Sequence, residues 1–305
     1  MNEKARVCQV ALSVEDLEKS THFYKVVFSL KDAGGTDEFR GDAAERVQGI
    51  PGVASRVKWL VDDRELFQLE LFQFESPLPK QYGANRDPSD IGYSRIAFDV
   101  ADLDAAIARV KSNGGSTLAG PDGQGEQRSG MCKDPDGILI QLIETSLPDG
   151  LFARLSGIAL SVPDLDIAVQ DFENGLGLRR KDVDSLPCCS IEEEGIEKRQ
   201  CIFDGITLWL EISQYEQPAS RPWPEDYRLC DYGILNIALG YRDEQALYNR
   251  IEAAKQAGFR LNSEPETAPG LVVVYTNDRQ NFSVEMLSIV PEMDGHFGFS
   301  ITPDE

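Results

Sequence analysis

Hydrophobic and polar positions along this chain change period in a regular order. A period of two runs through Cys8-Gln9-Val10-Ala11-Leu12-Ser13-Val14. A period near 3.6 then puts Leu17, Tyr24 and Val27 on one side of a helix. The same change occurs three more times, with helical faces Leu103/Ile107/Val110, Leu165/Val169/Phe172 and Leu247/Ile251/Ala254. Gly114, Gly175 and Gly258 stand where the later helices should stop. Strand-like runs follow each helix, at Phe67–Phe72, Ile138–Leu142, Thr207–Ile212 and Phe282–Met286. The pattern predicts an α+β fold class built from four β-α-β-β-β units.

The units are copies. Val10-Ala11-Leu12-Ser13-Val14-Glu15-Asp16-Leu17 returns as Ile158-Ala159-Leu160-Ser161-Val162-Pro163-Asp164-Leu165. Asp90-Ile91-Gly92-Tyr93-Ser94-Arg95-Ile96-Ala97-Phe98 returns as Asp231-Tyr232-Gly233-Ile234-Leu235-Asn236-Ile237-Ala238-Leu239. The turn-forming stretch Leu147-Pro148-Asp149-Gly150 separates the two halves. Two modules are therefore expected, 1–147 and 148–305, the second carrying a C-terminal tail. In that tail, Met293, Phe297 and Phe299 are expected to pack across a module or at a subunit interface.

Alternation assigns faces to the first strands. Cys8, Val10, Leu12 and Val14 share the face that packs on a helix, and Gln9, Ala11 and Ser13 share the other. The matching sets are Arg95-Ala97-Asp99, Gly157-Ala159-Ser161 and Asn236-Ala238-Gly240. A variable first residue followed by small side chains leaves room for a ligand, and a plain solvent face is the alternative.

Composition narrows the function. The chain has 305 residues, is 41% hydrophobic and carries a formal charge of −22. That charge repels phosphate backbones and anionic lipid, so neither nucleic acid nor membrane is expected as a partner. No apolar run is long enough to span a bilayer, and the N-terminus lacks the apolar core of a secretory signal. Six cysteines without a C-x-x-C pair, Cys188 and Cys189 adjacent among them, suit reduced thiols in a cytoplasmic protein. The glycine-rich run Gly120–Gly125 lacks the Lys-Ser/Thr of a phosphate loop and is expected as a loop beside the pocket. Trp209 and Trp223 are candidates for a pocket lining or for core.

The motifs Val10–Val14 with Asp16-Leu17 and Phe23-Tyr24, Gly92–Phe98, and the turn Asp134-Pro135-Asp136-Gly137 resemble the vicinal-oxygen-chelate family. That family includes glyoxalase I, methylmalonyl-CoA epimerase, extradiol dioxygenases and bleomycin-binding resistance proteins. The resemblance runs from about Arg6 to Val290 and implies glyoxalase-like modules with open, curled sheets. It also implies inward metal positions at the start of first strands, here Gln9, Arg95, Gly157 and Asn236. The last-strand positions are Glu70, Gln141, Glu211 and Glu285.

None of these eight is histidine. The chain has two histidines, His22 in the first helix and His296 in the tail. An iron dioxygenase needs two histidines and a carboxylate, so ring cleavage is disfavoured. If sequential units pair, one pocket collects Gln9, Glu70, Arg95 and Gln141, and the other Gly157, Glu211, Asn236 and Glu285. If the outer units pair, Gln9, Glu70, Asn236 and Glu285 meet, and Arg95, Gln141, Gly157 and Glu211 form a second set that holds metal poorly.

The outer set resembles the glyoxalase I ligands with asparagine in place of histidine. Its oxygen donors imply magnesium, manganese or calcium over iron or zinc, and a metal-free site is the alternative. The expected function is a glyoxalase-like lyase or isomerase. It would abstract a proton next to the carbonyl of a small molecule, with Glu70 or Glu285 as the catalytic base. Gln9, Arg95 and Asn236 are the substrate-binding candidates. A carboxylate paired with Arg or Lys is the structural alternative for Glu70, and an internal salt bridge is that for Arg95. A non-catalytic small-molecule binder, monomeric or homodimeric, is the alternative function.

Overall fold

The computed structural model describes residues 4–81, 87–122, 128–182 and 195–302. Cys188, Cys189 and the Gly123–Gly125 part of the glycine run lie outside the described residues.

Unit 1 comprises β1 (Arg6–Ser13), α1 (Leu17–Phe28), β2 (Lys31–Arg40), α2 (Asp42–Gln48), β3 (Ala54–Val61) and β4 (Gln68–Ser76). Unit 2 comprises β5 (Gly92–Val100), α3 (Leu103–Ser112), β6 (Ser116–Asp122), β7 (Ser129–Lys133) and β8 (Leu139–Glu144). Unit 3 comprises β9 (Ala153–Ser161), α4 (Leu165–Gln170), β10 (Arg179–Lys181), β11 (Glu197–Asp204) and β12 (Trp209–Gln217). Unit 4 comprises β13 (Gly233–Tyr241), α5 (Glu244–Ala257), β14 (Arg260–Leu261), β15 (Glu266–Ala268), β16 (Leu271–Asn277) and β17 (Ser283–Ile289). The short helix α2 is an addition to the repeated pattern.

The strands form two mixed sheets. The outer sheet runs β14-β16-β17-β13-β1-β4-β3-β2, with β15 paired to β16, and joins units 1 and 4. The inner sheet runs β10-β11-β12-β9-β5-β8-β7-β6 and joins units 2 and 3. Each half of the chain thus gives one unit to each sheet. First strands meet at the centre in antiparallel register, β1 with β13 and β5 with β9. Each also pairs in parallel with the last strand of its own unit, so that Ala11 lies beside Glu70 and Ala238 beside Glu285.

Local chemistry repeats with the topology. An aspartate caps the first helix of every unit: Asp16, Asp102, Asp164 and Asp243 each accept a backbone N–H of the first turn, at 2.8–3.0 Å. Each cap contributes about 1 kcal/mol. The apolar helical faces are buried as expected. They meet between the two sheets, where Phe28 of α1 stacks on Phe98 of β5 with ring centroids 3.8 Å apart. Before β8, Asp134 accepts from the N–H groups of Asp136 and Ile138. Before β17, Asp278 does the same for Gln280 and Phe282. Gly137 and Asn281 take the left-handed conformation these turns need, at φ 87° and 69°.

One facial assignment is corrected. Cys8 packs not with Val10, Leu12 and Val14 but with Ala238, Leu287 and Phe299 on the opposite face. The cause is a bulge in β1 between Val7 and Gln9, which adds a residue and resets the alternation. Among the described residues, no helix is long and apolar enough to cross a membrane.

Candidate functional site

The outer sheet curls around a cavity of about 310 Å³. Its floor is built by the central strands: Gln9 from β1, Gln68 and Glu70 from β4, and Glu285 from β17, all at most 7% exposed. Gln9 joins the two carboxylates, its Nε2 donating to Glu70 Oε2 at 2.7 Å and to Glu285 Oε2 at 2.8 Å. Glu70 also accepts from Trp59 Nε1 of β3 at 2.9 Å. Tyr275 of β16 is the register partner of Glu285, as Trp59 is of Glu70, and its phenol lies against that carboxylate. Each glutamate is therefore held by the polar tip of an aromatic residue on the neighbouring strand.

Burial dominates the electrostatics here. It raises the Glu70 carboxyl well above its ordinary range, and the charge of Glu285 raises it further against the bond from Trp59. Burial lifts Glu285 to about 7, although Tyr275 and Gln9 favour its ionised form. Both carboxyls are thus pushed above the ordinary carboxylate range, and the proton state of one depends on the other.

Asn236 is fully buried beside the Tyr275 phenol, yet neither atom of its amide reaches a hydrogen-bond partner at ordinary geometry. An orphaned buried amide is costly, and it sits where the sequence placed a metal ligand. Gln9 and Gln68 also admit a second arrangement, since amide oxygen and nitrogen differ only by a half-turn. With Gln68 turned, its nitrogen faces the carbonyls of Phe297 at 2.9 Å and Gly298 at 2.6 Å. Its oxygen then lies 2.5 Å from Gln9 Oε1, so Gln9 must turn as well and present oxygen to the two glutamates. Gln9, Glu70 and Glu285 meet at the cavity floor, and their oxygens suit a hard divalent ion, while Asn236 lies buried beside Tyr275 and does not line the cavity. Among the described residues no group of three or more His, Cys, Asp and Glu side chains makes a metal shell. His22 lies exposed on α1, and His296 lies exposed in the tail against Phe297.

The walls are apolar. Phe39, Trp59 and Phe72 stand on one side, Leu271, Val273 and Leu287 on the other. Helix α2 and strand β15 form two lips, joined by Arg46 Nε to Glu266 Oε1 at 2.5 Å; Asn262 donates to the Val47 carbonyl at 3.2 Å. The tail crosses from unit 4 to unit 1, where Ile301 pairs with Ala33, and it places Phe297 and Phe299 on the cavity. Gly298 presses on Trp59: a Cβ there would stand 2.3 Å from Trp59 Cγ, at φ 74°. Sequence reasoning missed Trp59 and Tyr275. The signal was available, because each is an aromatic with a donor tip, one hairpin before its glutamate.

The equivalent place in the inner sheet is filled. Arg95 donates to Gln141 Oε1 at 3.0 Å and to Glu211 Oε2 at 2.5 Å. Glu211, fully buried, also accepts from Lys198 and Ser213 at 3.0 Å. Burial alone would raise the Glu211 carboxyl, but Arg95, Lys198 and Ser213 outweigh it and hold it below the ordinary value. Trp209 occupies the space at Gly157, where a Cβ would come within 2.1 Å of the indole. Arg95 is thus not brought to Gln9, Glu70, Asn236 and Glu285, and its fork is engaged inside the inner sheet. Trp223 stacks on Tyr227 away from either floor, with ring centroids 4.2 Å apart.

Four β-α-β-β-β units, paired outer with outer and inner with inner, define a tandem protein of the glyoxalase type with one open and one filled floor. The model of the Glyoxalase/Bleomycin resistance protein/Dioxygenase superfamily matches residues 6–142. Residues 6–142 thus carry a domain that matches this superfamily, and the internal repeat extends the same plan to the second half of the chain. Among curated proteins, it is similar to a lactoylglutathione lyase of Arabidopsis thaliana, 26% identical over 179 residues. That match takes in 58% of this chain and 56% of the relative, so the likeness spans little more than half of the relative's length. A probable chloroplastic lactoylglutathione lyase of the same plant is 23% identical over 277 residues, 88% of this chain and 68% of that protein. Among solved structures, glyoxalase I from Zea mays superposes with a TM-score of 0.65 at 19% identity, covering 93% of this chain and 92% of the other. A Bacillus subtilis protein described as a putative dioxygenase gives 0.65 at 12% identity, covering 98% and 88%. These likenesses establish the fold.

Proposed function

We propose that the outer cavity is the active site of a glyoxalase-like lyase or isomerase, which removes a proton next to the carbonyl of a small molecule. The observation that carries this reading is the buried pair Glu70 and Glu285, bridged by one amide at the floor of an apolar cavity. A carboxylate raised toward neutrality is matched to taking a proton from carbon and returning it at an adjacent atom. Glu70 or Glu285 is the base, and its partner holds the second proton. Trp59 and Tyr275 fix the two carboxyl groups, and the apolar walls keep water from competing. Gln9 turns its amide nitrogen or oxygen toward the reacting centre as the charge there requires. Gln9, Glu70 and Glu285 would hold a divalent metal, and such an ion would polarise the carbonyl oxygen and stabilise the enolate. Arg95 has no part in this reaction and serves the inner sheet. The names of the lactoylglutathione lyases favour the same reaction class.

A second reading is sequestration of a small molecule without chemistry. It is favoured by the mostly apolar wall and by the absence of histidine from the floor. Exchange of the α-proton of 2-hydroxyacetophenone in D2O, followed by NMR, separates the two. Chelator-treated protein and protein reloaded with Mg2+ or Mn2+ should be compared. The lyase/isomerase reading expects exchange above the buffer rate that is lost in Glu285→Gln. Binding without exchange in every metal state would leave sequestration.

A further inference from the structure

The charges around the outer cavity constrain what can enter it. Among the described residues, the carboxylates lining it are Glu70, Glu285 and Glu266, beside the phenol of Tyr275, and no Lys, Arg or His lines it. The cation carried by α2 at the lip, Arg46, pairs with Glu266 at 2.5 Å. A ligand carboxylate buried against these walls would find no side-chain cation to pair with, and an unpaired buried charge is expensive. The chain's overall charge of −22 also opposes the approach of anions.

A cation gains little more. Glu266 is already neutralised by Arg46, and both floor carboxylates are at most 7% exposed and engaged by Gln9, Trp59 and Tyr275. The walls instead offer aromatic faces from Phe39, Trp59, Phe72, Phe297 and Phe299. Their volume, about 310 Å³, suits the body of a small molecule.

We infer that the outer cavity takes an uncharged carbonyl compound with an aromatic or bulky apolar body, and discriminates against anionic conjugates, a glutathione conjugate included. The inference rests on the reading of this cavity as a carbonyl site and specifies the substrate class. Glutathione brings two carboxylates and one ammonium, and the lips present no unpaired cation to receive the former.

The test keeps one reacting group and varies its charge. The ligands are 2-(phenacylthio)ethanol, 3-(phenacylthio)propionate, the trimethylammonium analogue and S-phenacylglutathione. Affinity is measured by calorimetry, and α-proton exchange is followed separately by NMR, on the full chain with and without Mn2+. The neutral ligand should bind about 100-fold more tightly than the propionate, as expected when a carboxylate loses hydration without a partner. Ala43→Lys, at the exposed lip, should narrow that gap by strengthening the propionate, which places the effect in this cavity. Tight neutral binding without exchange would support the substrate class while overturning the catalytic reading. Equal or tighter binding of the propionate or the glutathione conjugate would overturn the substrate class, and exchange on that ligand would leave the catalytic reading standing. A preference for the trimethylammonium analogue, or no binding by any of the four, would also overturn it.

Discussion

The two sheets of this protein are copies of one plan with opposite solutions at the floor. In the outer sheet, Glu70 and Glu285 face each other across a single neutral amide and open onto a cavity. In the inner sheet, the matching carboxylate Glu211 meets Arg95, Lys198 and Ser213, and Trp209 fills the remaining space. Burial raises the carboxyls of the first floor. Added cations lower that of the second. A duplicated fold can therefore keep one half for chemistry and the other for stability by changing which charges share a buried layer.

The comparison can be broken most sharply from the inner side. Arg95→Met leaves Glu211 buried with Lys198 as its one remaining cation, and should destabilise the protein by about 3–5 kcal/mol. The midpoint of urea unfolding measures this. The triple variant Arg95→Met/Lys198→Met/Glu211→Met removes every charge of the cluster and should recover most of the loss. If Arg95→Met alone is neutral, the inner ion pair is not what holds that floor.

The next effect is in pH, and its sign follows from the outer pair. Folded Glu285 keeps its proton up to about 7, whereas unfolded it releases one near the ordinary carboxylate value. Between those two values the folded state binds more protons. Stability of the metal-free protein therefore falls as pH rises through this window, by up to about 1.4 kcal/mol per unit. Glu285→Gln should flatten that slope in thermal melts from pH 5 to 8. Glu211 has the opposite linkage. Its stabilisation is present above the unfolded value and is lost as pH falls through the lowered folded value. An unchanged slope in Glu285→Gln would mean that Glu285 is not the group that holds the proton.

The smallest effect concerns the tail, which among the described residues has no counterpart over the inner sheet. Gly298→Ala puts a methyl group against Trp59 and adds left-handed strain, for a cost of about 1–3 kcal/mol. Trp59 fluorescence should shift with the loss, since the indole must move. A silent substitution would detach the tail from the floor.

Much of this was legible in the chain. The period changes and the repeat located the units, and the family resemblance pointed to the eight inward positions. Glu70, Glu285, Gln9 and Asn236 could each be named as inward-facing because strand alternation survives any choice of pairing, but they fall into one set only if the outer units pair. What decided the pairing is long-range: β1 seeks β13, not β5, and nothing in either strand's pattern states that. Arg95 illustrates the same limit. Its guanidinium suits a ligand anion as well as it suits Glu211, and only the inner pairing selects Glu211. Cys8 was misplaced because a bulge shifts alternation without a sequence mark. Trp59 and Tyr275 were overlooked because their role depends on the register of a neighbouring strand.

The claim that the outer floor alone is chemically competent has a direct test. The rate of α-proton exchange on 2-(phenacylthio)ethanol should be measured by NMR in D2O for the wild type, Glu70→Gln, Glu285→Gln and Lys198→Met. Both glutamine variants should lose about 100-fold or more while remaining folded. Lys198→Met, which disturbs Glu211 in the inner sheet, should exchange like the wild type. Exchange that survives both glutamine substitutions, or that falls in Lys198→Met, would contradict the account.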